Sequence, residues 1–423
     1  MASPQARIRS LRWEETILGL KPRWRFEPDI EEIKSTLQPL WPSSTVQVAF
    51  FAQGAFNKLY QVIVQDQPPL MLRISLPVDP RYKTLSEVAT IRWVNAVTTI
   101  PLPQVITYNS SLDSALGFEW ILMTRLDRSS LSNAWTHIDF SAKSALVRQF
   151  ASFAASLFRN QLSCIGNIYP PLLSTLTPVT GRIVSMPFFW GDRINLDMDR
   201  GPFRHSRDWI AARLQFAESD CLAVLRKYPE GAELDRDAEA DREDATRTAS
   251  IITKLHQLID LVFPETAMAE EITVLSHTDL SRSNIPVDNA GNLTGVVDWE
   301  CISALPLWKA CSYPSFLEGR PRRDKPDATR YAHDLDQIPS RLYLEHLLEY
   351  ELTLLRPLFL EEMERVEPRW ITVFNASQLQ RDFDLAVEDC DSEFLARDIL
   401  RWADGIAGGI GSLGSLREMI DGA

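Results

Sequence analysis

A chain of 423 residues, 45% hydrophobic and 24% charged, is too long for one simple core, so two or three packed subdomains are expected. Its formal net charge of −13 argues against a general nucleic-acid binder, which needs a basic face for phosphates. No run of about eighteen uncharged apolar residues offers a membrane span, and five cysteines with no CxxC pair suit reduced thiols rather than a disulfide framework or a zinc site.

The start, "MASPQARIRSLRWEE", lacks the apolar core of a secretory signal. Residues 1–27 are expected as an exposed tail; Arg7, Arg9 and Arg12 resemble a mitochondrial presequence faintly, and the cytoplasm is the expected compartment. Residues 28–41 have helical spacing that ends before Pro42. Between Thr45 and Ser75 the pattern becomes strand, glycine-containing turn, strand, polar turn, strand. A helix is predicted over 83–97, followed by strands at "PQVITYN" and "FEWILMTRL". That small sheet with its helix ends near Leu126. Beyond it, "SAKSALVRQFASFAASLFR", "RDWIAARLQFAESDCLAVLRKY" and "ATRTASIITKLHQLIDLVF" repeat apolar residues at helical intervals. The charged run "PEGAELDRDAEADREDA" reads as a solvated loop feeding the last of these helices. From about 338 the chain looks helical to its end, with a break at "GIAGGIGSLG". The fold class is therefore α+β, with a small sheet lobe followed by a larger, mainly helical lobe.

Between them stands "LSHTDLSRSNIPVDNAGNLTGVVDWE", residues 275–300, which crowds polar and acidic groups among short β-forming runs. Metal-assisted phosphoryl transfer needs a carboxylate to orient or deprotonate a hydroxyl, plus an oxygen ligand and a second carboxylate to hold magnesium against the phosphates. Asp279, Asn284 and Asp298 supply that set. A hairpin turning on "NAG", with a second strand ending at Asp298, returns Asp298 beside Asn284.

This pattern resembles the catalytic and metal-binding loops of aminoglycoside phosphotransferase-like, or choline-kinase-like, enzymes, which share the two-lobed protein-kinase fold. It stands here as "HTDLSRSN" and "GVVDWE", and "CISALPLWKACSYPSFLEG", "IGNIY" and "RGPF" are similar to the fungal branch. The resemblance implies a nucleotide-binding lobe over 28–126 and a catalytic, substrate-binding lobe over 127–423. It implies ATP and Mg2+ as cofactors and the hydroxyl of a small molecule as acceptor, neutral or cationic given the acids at 279, 298 and 300. Asp279 would be the catalytic residue, with Asn284 and Asp298 on the metal. Gly54 and Asn57 in "FAQGAFNKLYQV" would lie in the phosphate loop, where one glycine between strands also reads as a plain turn. Arg73 would grip phosphate where kinases place a lysine, paired with Glu87, although Glu87 also reads as an exposed helical acid. Backbone groups around Met123, Thr124 and Arg125 would read the adenine edge. His277 is expected to brace the loop, Trp299 to pack, and Glu300 is open between metal, cationic substrate and neither; nothing establishes a role for His205. Three departures from the family pattern matter: Thr278 within the His-x-Asp, Arg282 in the catalytic loop, and Pro286 where a leucine normally lies beneath adenine. They keep a nucleotide-binding pseudokinase as the rival to an enzyme. A protein kinase ranks below both, because no Asp-Phe-Gly or Ala-Pro-Glu is present.

Overall fold

The computed structural model describes residues 10–16, 19–126, 129–171, 178–264, 270–331, 340–409 and 414–421. Leu11–Thr16 (β1) and Gly19–Trp24 (β2) pair antiparallel. The segment expected as an exposed tail thus contains a hairpin. Its packing partners are remote in sequence, which hides it from local reading: Leu11, Trp13 and Trp24 cluster with Phe56, Phe189 and Trp190. Arg7 and Arg9 lie outside the described residues.

Ile30–Leu37 (α1) starts on Asp29, whose carboxylate accepts from the amides of Glu31 and Glu32 at 2.8 and 3.0 Å. Its Ile33 and Leu37 bury against Val46, Val62, Leu72 and Leu122 of a five-stranded antiparallel sheet. The strands are Val46–Gln53 (β3), Asn57–Val64 (β4), Leu70–Ser75 (β5), Val105–Asn109 (β6) and Glu119–Thr124 (β7), in the order β3-β4-β5-β7-β6. Tyr82–Val97 (α2) connects β5 to β6. These elements lie where turn signals and periodicity put them. What periodicity did not disclose is the character of α2: it buries Lys83, Thr84, Ser86, Glu87 and Thr90, as only a helix enclosed on several sides does.

The remainder is mainly helical. Phe140–Arg159 (α3) packs against Arg341–Val366 (α4) and Pro368–Ala376 (α5) around Phe150, Phe158, Phe359 and Trp370. A second core joins Ser206–Lys227, Arg236–Val262, Gln378–Glu388 and Ala396–Ala407. The charged run expected as a loop is half helix. Asp235 caps Arg236–Val262 by accepting from the Ala238 amide at 2.9 Å, and Asp237 and Glu239 favour its first turn. Part of the glycine-rich break, 410–413, lies outside the described residues.

A second sheet was not anticipated. Leu162–Ser163 (β8), Gly166–Tyr169 (β9), Val179–Gly181 (β10), Ile272–Ser276 (β11) and Ser303–Pro306 (β12) form five strands in the order β10-β9-β12-β11-β8. Strands of two to five residues, drawn from positions far apart in the chain, carry no readable alternation. No helix among the described residues is long and apolar enough to cross a membrane.

Asp384 is buried between Arg213 and Lys309, tying three helical segments together. Burial alone would raise its carboxyl; the two cations outweigh burial and lower it. Asp384→Ala leaves the buried Arg213 and the half-buried Lys309 without this partner and is expected to cost about 3 kcal/mol in urea denaturation. Because the folded-state value lies below the ordinary 3.8, the contribution is present above that value. It fades as the pH falls below it, so wild type and variant should converge in acid.

Candidate active site

Two short strands close the loop that carries the acids. β11 runs into His277 and β12 begins at Ser303; Ser276 faces Ser303, so residues 277–302 leave and return at one point. Within the loop, Asp288 accepts from the amides of Ala290 and Asn292, both at 2.9 Å, and Gly291 takes the turn at φ +85°. The returning leg is held by Thr294 N–H to the Pro286 carbonyl and Val297 N–H to the Asn284 carbonyl, each 3.0 Å. This is the expected reversal, though with one bridge, Val287 to Leu293, in place of a regular second strand. Residues 286–287 pair instead with 129–130, and Pro286, lacking an N–H, stands opposite Ser130 in that two-stranded ladder.

The Val297–Asn284 bond sets Asp298 beside Asn284. The Asn284 amide nitrogen donates to the Asp279 carbonyl at 2.8 Å and to its carboxylate at 3.1 Å. Its nitrogen is committed to Asp279, leaving the amide oxygen as the atom suited to a cation. Asp298 itself is left-handed, at φ +65°, a conformation aspartate tolerates better than most residues; Cys301 follows at φ +57°.

Behind Asp298 lies a buried network of charges. Arg73 on β5 donates through Nη1 to Glu87 on α2 at 2.9 Å; its Nη2 lies 2.9 Å from Asp298 and 2.7 Å from Glu300. Lys83, 1% exposed, reaches Glu300 at 2.5 Å and Asn57 Oδ1 at 3.0 Å. Asn57 completes the circuit by donating to Glu300 at 2.9 Å. Burial would raise the Glu300 carboxyl, but Arg73, Lys83 and Asn57 outweigh it and hold it at about 2. Glu87 goes the other way: burial raises it beyond what Arg73 and Lys83 can offset. Burial works against Arg73 and Lys83 too, yet Glu300 keeps both above their ordinary values. Two cations and three carboxylates leave a formal charge of −1. Asp298, its side chain 36% exposed, is the most open carboxylate of the set.

Arg73, Glu87, Asn57 and Asp298 therefore converge, and Glu300 pairs with both Arg73 and Lys83. Lys83 was missed. It lies four residues before Glu87, on the same helical face, and that spacing was the available signal. Gly54 lies at the β3–β4 turn; its amide donates to the Asn57 carbonyl at 2.9 Å, and a Cβ there would meet nothing within 4 Å. The amides of Thr124 and Arg125 are spent within the protein, on Gln104 and Pro69 carbonyls at 3.0 and 3.1 Å, and Met123 is paired in the sheet with Met71. The Thr124 and Arg125 amides are thus not available as donors to an adenine edge in this conformation. The Arg125 guanidinium lies 4.9 Å from the ring of Phe51, a half-exposed residue of β3.

His277 acts on the loop from behind. Its Nε2 lies 3.1 Å from the Val297 carbonyl, and its ring meets Trp299 edge-on at 4.9 Å. Burial lowers its pKa, favouring the neutral ring. Trp299 is buried and donates to the Val296 carbonyl at 3.0 Å. Arg282 lies 5.4 Å from the Trp135 ring, and burial lowers its pKa. Thr278 is exposed. His205 begins the helix Ser206–Lys227 and has no part in the network.

The chain matches the model of the phosphotransferase enzyme family over residues 47–308. A subtelomeric hrmA-associated cluster protein of Aspergillus fumigatus is 25% identical over 311 residues, 64% of this chain and 60% of that protein. The match thus spans about 60% of that relative's length. Clavilactone A biosynthesis cluster protein Y of Ampulloclitocybe clavipes is 27% identical over 297 residues, 68% of each chain. Among solved structures, a thermostable mutant of aminoglycoside phosphotransferase APH(4)-Ia with ADP and hygromycin B aligns over 90% of this chain and 100% of that one. Its TM-score is 0.42 at 15% identity. A fructosamine-3-kinase homologue from Thermobifida fusca gives 0.43 at 14% identity, over 89% and 99%.

Lys83→Met should destabilise the fold by about 3–5 kcal/mol in urea denaturation, because it removes one of the two cations from a buried Glu300. The Glu300 carboxyl is held at about 2, below its ordinary 4.5. Its contribution is therefore complete above that ordinary value and is lost as the pH falls toward 2. Glu300→Gln should flatten that acid limb in denaturation curves recorded against pH.

Proposed function

Since the chain belongs to the phosphotransferase enzyme family, we propose that it moves the γ-phosphate of ATP, with magnesium, to a hydroxyl of a small molecule in the cytoplasm. The observation that carries this reading is the convergence of Asp279, Asn284 and Asp298, joined through the Asn284 side chain and the Val297–Asn284 backbone bond. The division into a nucleotide-binding lobe over 28–126 and a catalytic lobe over 127–423 is part of the same proposal.

The donor set suits magnesium. A hard cation prefers oxygen ligands, and in nucleotide sites one or two carboxylates with the phosphates suffice. Asp298 and the Asn284 amide oxygen are such donors, and Asp298 belongs to a network whose formal charge is −1. No cluster of three His, Cys, Asp or Glu residues suited to a metal occurs among the described residues, in keeping with a site completed by phosphate. When bound, the ion would neutralise charge on the phosphate oxygens. Asp279 orients the acceptor hydroxyl and takes its proton, with Asn284 fixing the carboxylate. Arg73, set by Glu87, offers its charge to the phosphates, and Gly54 lets the β3–β4 turn approach them. Catalysis on this reading is positioning and charge neutralisation. Glu300 is already paired, so Asp279 and Asp298 are the acids facing an acceptor, which favours one that is neutral or cationic.

A pseudokinase is the second reading, favoured by Arg73 itself. Three carboxylates already hold its guanidinium and compete with phosphate for it.

The deciding experiment is an ATP-consumption screen over amino alcohols, aminoglycosides, sugar alcohols and hydroxylated secondary metabolites, with product mass confirming transfer. Asp279→Asn should then lower turnover by about 10²–10⁴-fold with ATP affinity little changed. Asp298→Ala should remove the magnesium dependence of ATP binding in calorimetry. A wild type that consumes no ATP with any acceptor yet binds the nucleotide supports the pseudokinase.

A further inference from the structure

The stretch "IGNIY", residues 165–169, holds a fully buried amide, that of Asn167 on β9. Both polar atoms of its side chain are engaged. Oδ1 accepts from the Val184 amide and from the Ser303 hydroxyl, each at 2.8 Å. Nδ2 donates to Ser86 Oγ at 3.3 Å. The backbone N–H of Val184 can only donate, which fixes the oxygen end of the side-chain amide.

The two serines belong to the two halves of the site. Ser86 is buried on α2, between Lys83 and Glu87. Ser303 opens β12, where the loop of residues 277–302 returns to Ser276. One amide therefore spans the helix whose Glu87 holds Arg73 and the base of the loop that carries Asp298 and Glu300. The packing around it is close. A Cβ at Gly166 would collide with the Gly181 carbonyl, so glycine lets β10 lie against β9. Tyr169 shares the face of β9 with Asn167 and meets Tyr82 edge-on at 6.0 Å, and Tyr82 is one turn before Ser86 on α2. Arg182, just after β10, lies 2.7 Å from Asp79, which precedes the same helix. A buried amide with its partners in place specifies one arrangement, because any shift that breaks its bonds leaves donors and acceptors away from water.

We propose that Asn167 is a positioning residue, fixing α2 with Lys83 and Glu87 against the base of the loop that carries Asp298 and Glu300. What that position serves, the binding of ATP with magnesium, rests on the phosphotransferase reading; the coupling of helix and loop through Asn167 does not. A second path between them runs from Lys83 to Glu300. Repeating each serine substitution with the Asn167 side chain removed separates the two paths.

The test follows hydrogen–deuterium exchange of the full chain in peptides from α2 and from residues 277–302. Ser86→Ala and Ser303→Ala are each measured with Asn167 intact and with Asn167→Ala. Ser86→Ala alters a helix residue, yet should speed exchange in the loop roughly fivefold, the value of about one hydrogen bond. Ser303→Ala should do the same in α2. With Asn167→Ala neither serine substitution should add to the effect, while peptides of α3 keep the wild-type rate and report that the fold is intact. Calorimetry with ATP and magnesium completes the test: folded Asn167→Ala should bind about fivefold more weakly than wild type. Should Asn167→Ala not fold, the double variant of Ser86→Ala and Ser303→Ala decides, and its effect should fall short of the two single effects combined. The proposal is overturned if each serine substitution acts only on its own segment, or if the two combine independently. It is overturned as well if the loop effect of Ser86→Ala persists without Asn167, which assigns the coupling to Lys83 and Glu300. Unchanged ATP affinity in folded Asn167→Ala also overturns it, leaving a residue that only supports the fold. A wild type that binds no ATP counts against the phosphotransferase reading instead, and the exchange comparison alone then decides.

Discussion

Arg73 is the residue on which the geometry of the site depends. Its guanidinium is buried and contacts a helix of the small sheet region through Glu87 and the distant loop through Asp298 and Glu300. A buried cation cannot remain unpaired, and a planar fork with several donors can serve carboxylates from different directions at once. The position of the loop relative to the sheet is thus set by an electrostatic requirement as much as by packing. Lys83 plays the complementary part: without it, Glu300 would face burial with Arg73 alone, and Arg73 is shared among three acids.

Charge of this kind is weak evidence for stability, because desolvation offsets much of the attraction. What it provides here is definition. Glu300 lies deeper than Asp298 and is held ionised by the two cations, while Asp298, two residues earlier, faces outward. The left-handed backbone at Asp298 and Cys301 brackets this pair, at conformations that cost something for a non-glycine residue. The strain is tolerated because the loop is closed at its base by the β11–β12 pairing and braced from behind by His277 and Trp299.

Much of the architecture was legible from local chemistry. The five strands and the helix of the first sheet announce themselves through turn residues and apolar spacing, because each strand pairs with neighbours from the same stretch of chain. The order His277, Asp279, Asn284, Asp298 was legible for a different reason: polar and acidic residues crowd at short, ordered intervals within one reversal of the chain. The hairpin at Leu11–Trp24 and the second sheet were not legible, since their partners come from segments scores of residues away. Nor was the helix beginning at Arg236, where a capping aspartate and favourable first-turn acids outweigh the appearance of a solvated run. By itself, then, the sequence determined the two-part α+β plan, the chemistry-bearing loop and Arg73 with Glu87 as partners. Only the tertiary structure decided that Lys83 joins them and that Glu300 turns inward. Those outcomes depend on which charges are desolvated together, and desolvation is a property of the packed chain that no local spacing encodes.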